Sequence, residues 1–194
     1  MIGTDDGEVL DEFTPPAPPP TDDPFSPNVC QAWELAVHAA DTPQTRKIIL
    51  RIGFVLHADH GALATLARLA RCFVGGRAGA GTQSLSWLPH ADFTQLVADI
   101  VAEPAAFSGT YLAVSPTPAT NAHFMRELRR VLHRPWAPPA PAWLVRLGCF
   151  LMRTEPELAL RSRRCYPRRL LDERGFRFRY PTLPEALAAC YPRP

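Results

Sequence analysis

The chain holds 194 residues, 46% of them apolar, enough for a sizeable core in one domain, or in one domain with a tail. No apolar run approaches the ~20 residues that a membrane helix needs, and the acidic start lacks the basic and apolar regions of a secretory leader. Five cysteines (Cys30, Cys72, Cys149, Cys165 and Cys190) form no C-x-x-C pair. That argues against a zinc ribbon or a disulfide framework and fits reduced thiols in a cytoplasmic protein. The net charge of +2 hides an asymmetry: residues 1–45 carry nine acids and no Lys or Arg, and residues 46–194 carry ten acids and all 21 bases. Lys47 is the only lysine. Mechanisms that need a lysine elsewhere, such as a Walker A loop or a Tyr-x-x-x-Lys pair, are therefore excluded.

Residues 1–25 are acidic and proline-rich and are expected to form a loose, poorly ordered arm. Ser26-Pro27 then reads as a helix start, with Val29, Ala32, Trp33, Ala36, Val37 and Ala40 at helical spacing over 27–40. The nearly continuous apolar run from Lys47 to Leu56 has the pattern of a strand buried on both faces of a parallel sheet. A helix carrying Leu63, Leu66, Ala67, Ala70 and Phe73 is predicted to end at Gly75-Gly76. Ser84 to Leu88 reads as a strand, and a helix follows with Phe93, Leu96, Val97, Ile100 and Val101. Thr110 to Val114 is a further strand, and Thr120 caps a helix with Phe124, Leu128, Val131 and Leu132. This β-α-β-α-β-α beat implies a largely parallel sheet covered by helices. After the PWAPPAPAW linker the spacing predicts an apolar helix over 142–152. Capping boxes stand at Thr154/Glu157 and Thr182/Glu185, and a helix over 167–174 is stopped by Gly175. Phe176, Phe178 and Tyr180, alternating with arginines, read as a short strand.

Few constellations carry chemistry. The cluster Gly75, Gly76, Gly79, Gly81 has glycines in the order G-x-x-G-x-G and follows a helix. The dinucleotide fingerprint needs G-x-G-x-x-G between a strand and a helix. A loop near a ligand is the better reading, because four glycines let the backbone approach something closely. His57-x-x-His60 beside Asp59 has no convincing third ligand and reads as a solvated turn, so no metal is expected. Asp92, three residues before Gln95, reads as a helix N-cap with a capping-box partner. Eight arginines and two acids fall between residues 161 and 179. They are read as a solvated face rather than a nucleic-acid surface, with an anionic ligand or the chain's own acidic arm as further partners.

Several stretches together resemble a known family. LRIGFVL (50–56), the GG…GAGTQ loop (75–83) and SWLPHADF (86–93) resemble NAD(P)-dependent epimerase/dehydratases of the extended short-chain dehydrogenase/reductase family. CQAWELA (30–36), SPTPATNAHF (115–124), HRPWAPPAPAW (133–143) and YPRRLLDERGFRFRYPTLPEAL (166–187) resemble its atypical, sugar-nucleotide-epimerase-like branch, which ends in a domain of unknown function. The fold this implies is α/β: a partial Rossmann-type parallel sheet whose N-terminal dinucleotide-binding units are missing, with a small α-rich C-terminal lobe. Three regions follow: the arm at 1–25, the remaining α/β portion at 26–134 and a substrate-lobe-like domain at 135–194.

The resemblance further implies a substrate side formed by Arg51, Gly75, Gly76, Gln83, Trp87 and Asp92. It implies NAD(P) as the family cofactor, not bound by this chain alone for want of the fingerprint. No catalytic residue is carried over. The family's tyrosine and its lysine four residues on are absent, and Cys30-x-x-Trp33-Glu34 stands where they would be. Two functions from different classes follow: an epimerase-like protein that keeps its substrate side and is inactive alone, or a non-catalytic binding module. Either a genuine short protein or a truncated reading frame fits this pattern. The partners expected are a second copy or a missing N-terminal half, docking on an exposed sheet edge.

Overall fold

The computed structural model describes residues 9–15, 25–134, 136–141, 143, 145, 162 and 164–192. The first helix is α1 (Phe25–Ala39). The apolar run gives two strands, β1 (Ile48–Ile52) and β2 (Phe54–Leu56), broken at Gly53. Then come α2 (Gly61–Arg71), β3 (Ser84–Leu85), β4 (Trp87–Pro89), α3 (His90–Ala102), β5 (Gly109–Ala113), β6 (Ala119–Thr120) and α4 (Asn121–Val131). A π-helical turn (Arg169–Glu173) and α5 (Leu183–Cys190) lie near the C-terminus. The expected alternation of strands and helices is present.

One segment organises the sheet. β1 pairs in parallel with β5, from Ile48 opposite Gly109 to Ile52 opposite Ala113. β2 pairs in parallel with a different strand, β4, with Phe54 opposite Trp87. The partner changes at Gly53, where the Gly53 N–H donates to Ala113 O at 3.2 Å and the next N–H, of Phe54, donates to Ser86 O at 2.8 Å. Past this point β4 lies between β2 and the continuation of β5, because Ser115 N–H donates to Trp87 O at 2.6 Å. The third ladder, β3 with β6, is antiparallel.

Alternation along these strands builds a layer on each face. Trp87 and Leu56 join Leu63, Ala67, Phe124, Leu128 and Leu187, so α2, α4 and α5 cover one face. Leu88, Tyr111 and Ala113 join Leu96, Phe107 and Leu170, so α3 and the π-helical turn cover the other. Leu112 and Val114 meet Leu10 and Cys165 in a third cluster.

The structure departs from the sequence pattern in five places. Ile48 to Arg51 are only half-buried and Ile52 is 50% exposed, because among the described residues no strand lies beside the outer edge of β1. The predicted strand from Ser84 to Leu88 is divided at Ser86 between two ladders. α2 ends before the glycines. Phe73 takes the left-handed conformation at φ 62°, Val74 N–H closes onto Leu69 O at 3.0 Å, and Arg134 lies 5.1 Å from the Phe73 ring. Phe176 and Phe178 form no strand; they pack edge to face at 5.0 Å against the α3 side of the core. Part of the predicted loose arm is docked: Leu10 is buried and bridges in parallel to Cys165. The predicted helix over 142–152 lies almost entirely outside the described residues, and the Thr154/Glu157 box wholly so. Thr120 accepts the His123 N–H at 3.2 Å, and Glu185 accepts the Thr182 N–H at 3.2 Å, as the caps predict.

A Cβ at Gly53 would stand 2.6 Å from Ser86 O and 2.7 Å from Val114 Cγ1, both within the sheet. Gly53→Ala is therefore expected to destabilise the fold by about 1–3 kcal/mol through overpacking. A denaturant titration read by far-ultraviolet circular dichroism measures this.

Candidate functional site

In open parallel α/β sheets, ligands bind outside the carboxyl ends of the strands. Here β2 ends at Leu56 and β4 at Pro89, side by side. The residues that follow bring three imidazoles together: the His57 ring lies 4.8 Å from His60 and 4.9 Å from His90. The Asp59 N–H donates to His57 Nδ1 at 3.2 Å. The Tyr191 hydroxyl, just past α5, donates to Ala58 O at 3.1 Å, with Arg71 5.4 Å from its ring. Burial pushes the Tyr191 phenol and the neighbouring Cys190 thiol up from their ordinary values. A phenol serving as acid/base near neutrality needs the opposite shift. Among the described residues no three side chains are arranged to hold a metal ion.

The residues nominated from sequence are held by bonds within the chain rather than gathered at this edge. Arg51 on β1 makes a two-pronged ion pair with Glu34 of α1, both bonds 2.8 Å. This pairing raises Arg51 and holds the Glu34 carboxyl below its usual range. Trp87 is fully buried and its Nε1–H donates to Thr117 O at 2.8 Å. Asp92, 1% exposed, accepts the Arg179 N–H at 2.6 Å and the Tyr180 N–H at 3.3 Å. It is not the N-cap of α3, which begins two residues earlier after Pro89, so its carboxylate is free to grip the C-terminal segment. Gln95 instead donates to Asp99 at 2.6 Å.

The glycine loop receives the chain's own linker. A Cβ on Gly76 would lie 1.8 Å from Pro138 O, and Ala78 bridges in parallel to Ala140. The N–H groups of Ala78, Gly79 and Gly81 donate to Asn121 Oδ1, Ala140 O and Ala78 O. Gly75 O accepts Arg129 at 2.9 Å, and Gln83 donates to Ala78 O at 3.1 Å. Gly75, Gly76 and Gln83 are thus brought together, while Arg51 and Asp92 are held by other segments.

The arginines after residue 161 are also not simply a solvated face. Arg168 pairs with Asp11 at 3.4 Å, in the chain's own acidic arm. Arg169 donates to Ser108 O and Thr110 O and lies 4.4 Å from the Tyr111 ring. The sequence reading missed His90 as a neighbour of His57. Its signal was the position of both immediately after parallel strands, which end at one level.

These elements define the class: a parallel α/β sheet of Rossmann type whose C-terminal segment is gripped by Asp92 at Arg179 and Tyr180. Residues 140–190 match the family described as a domain of unknown function, DUF1731. An epimerase family protein of Mycobacterium leprae is 33% identical over 172 residues, covering 88% of this chain and 54% of the relative. Human epimerase family protein SDR39U1, isoform 2, solved with NADPH, superposes with a TM-score of 0.83 at 27% identity, covering 97% of this chain and 61% of that one. A nucleoside-diphosphate sugar epimerase from Corynebacterium glutamicum gives a TM-score of 0.69 at 28% identity, covering 94% of this chain and 33% of that one. The chain is thus similar to epimerase family proteins along most of its length, with a DUF1731 match at its C-terminal side. It spans about half the length of the curated relatives it matches. Among the described residues no helix is long and apolar enough to cross a membrane.

Two outcomes test this geometry. Asp92→Ala removes the acceptor for two backbone N–H groups; about 1–3 kcal/mol of destabilisation is expected, with faster amide exchange at Arg179 and Tyr180. The Glu34 carboxyl is depressed on folding, so its pairing stabilises at pH above the ordinary glutamate value and is lost as pH falls through the folded one. Amide protection in α1, corrected for the intrinsic pH dependence of exchange, is expected to fall over that acid window in the native chain and to stay unchanged there in Glu34→Gln.

Proposed function

We propose that this chain forms the substrate side of an NAD(P)-dependent, epimerase-like protein and is catalytically silent by itself. The observation that carries this reading is the carboxyl edge of β2 and β4, closed on one side by Tyr191 and backed by Trp87 and the Asp92 clamp. Arg51, Gly75, Gly76, Gln83, Trp87 and Asp92 shape that side by holding loops and the C-terminal lobe in place. The relatives' names support a nucleoside-diphosphate sugar as the ligand class and NAD(P) as the cofactor.

Silence follows from the chain's own groups. Its single lysine, Lys47, donates to His38 O and Ala40 O at the end of α1, and no tyrosine stands four residues before it. Tyr111 is buried, with its hydroxyl accepting the Ser108 N–H. The sequence carries no G-x-G-x-x-G, so no helix N-terminus of that kind meets a pyrophosphate. NAD(P) would supply hydride chemistry when held by residues outside this sequence. Partners follow the same logic: a second copy or a dinucleotide-binding half.

The test uses two probes. NADPH fluorescence is expected to be unchanged by the chain alone, while saturation-transfer NMR is expected to show UDP-glucose contacting it at millimolar concentration. Micromolar NADPH binding would overturn the division of labour. Absence of any UDP-glucose signal would favour the non-catalytic binding module.

A further inference from the structure

Two helices on one face of the sheet end in the same unusual way. α2 closes on Phe73 and α4 on His133, and both residues are left-handed, at φ 62° and 55°. Glycine makes such a turn without strain. Phe73 makes it at a cost, and its ring is left 48% exposed beside Val74 at 52%. Neither the turn nor the core needs that ring. The chain after α4 runs alongside this tip. Arg134 donates to Arg71 O at 3.4 Å, Pro138 O packs on Gly76, and the Ala140 N–H donates to Arg77 O at 2.9 Å. Trp136, 67% exposed, falls between these ties on a level with Val74. Phe73, Val74 and Trp136 thus form one apolar patch, at the end of α2 away from the three imidazoles.

The surroundings of the patch are basic. Residues 60–81 and 121–141 hold seven arginines and one acid, Glu127, which pairs with Arg126 at 3.3 Å and Arg130 at 3.2 Å. Among the described residues no carboxylate pairs with Arg68, Arg71, Arg77, Arg129 or Arg134. We propose that this patch seats the protein on an anionic lipid surface, with Phe73, Val74 and Trp136 entering the headgroup boundary and the arginines meeting lipid phosphates. Charge selects an anionic occupant, since arginines without carboxylate partners are drawn to a negative surface and the one nearby acid is already paired. The apolar residues select a bilayer. Val74 has no ring on which a nucleic-acid base could stack, whereas a membrane interface takes aliphatic and aromatic side chains together and favours Trp. Arginine stems also let the charged heads stay with the phosphates while their apolar neighbours insert. The patch stands apart from the carboxyl edge, so vesicle binding and UDP-glucose contact succeed or fail separately.

The experiment sediments the full chain with vesicles of phosphatidylcholine alone or of phosphatidylcholine mixed with phosphatidylserine. Binding is expected to the mixed vesicles only, and to weaken as salt rises. Brominated lipid is expected to quench tryptophan emission in the native chain and much less in Trp136→Ser. Phe73→Asn, a residue type that suits the left-handed turn, is expected to cut binding by roughly tenfold or more with the thermal unfolding midpoint kept. Arg77→Gln is expected to cut it about fivefold. Failure to sediment with mixed vesicles, or binding that ignores both Phe73→Asn and Trp136→Ser, overturns the proposal. So does a preference for labelled oligothymidylate over vesicles at equal phosphate, which assigns the arginines to nucleic acid. Self-association abolished by Phe73→Asn overturns it as well, because the patch then belongs to a second copy.

Discussion

The change of strand partner at Gly53 is the constraint on which the rest of the fold depends. An ordinary side chain there would enter the space occupied by Ser86 O and Val114, and β4 could not slip in between β2 and the continuation of β5. Without that insertion Trp87 and Leu88 would not stand inside the two layers they fill. Neither core cluster would then be complete. The carboxyl edge with its three imidazoles exists because two strands are made to end side by side.

What the sequence revealed was what is local. Thr120 and the Thr182/Glu185 pair were legible because a cap needs only residues within one turn. The alternation of strands and helices was legible from periodicity. The partners of Arg51 and Asp92 were not. Arg51 has the residue type of a substrate contact, yet its acceptor, Glu34, lies on another element 17 residues away. Asp92 has the spacing of a cap, but the N–H groups it accepts from belong to Arg179 and Tyr180, 87 and 88 residues distant. The glycine loop was read as lying near a ligand, and its close neighbour here is the chain itself. What approaches, Pro138, belongs to a linker whose composition suggested only punctuation. Phe176 and Phe178 alternated like a strand, but with no ladder beside them they turned their rings into the core.

Residue types that suggest chemistry have been turned to architecture throughout this chain. Arginine is the clearest case. Its planar, multi-donor head lets Arg169 reach two carbonyls of the β5 region while covering the Tyr111 ring. Arg129 reaches Gly75 O, and Arg134 steadies the left-handed Phe73. The histidines at the carboxyl edge are the exception. They are held by each other's rings and by one backbone N–H, so the polar groups facing outward at that edge are theirs.

The docking of Leu10 and Glu12 also sets an order of events during folding. Glu12 meets the Arg169 N–H across 157 residues, and Leu112 across 100. Closing loops of that length carries a large entropic cost before any contact rewards it. On a growing chain these acceptors have no donor until most of the polypeptide has left the ribosome. The helices α2 and α4 and the strand pair β2–β4 lie much closer in sequence and are able to assemble earlier. The acidic segment is therefore expected to dock late, fastening the stretch around Cys165 to Arg169 onto the edge of β5.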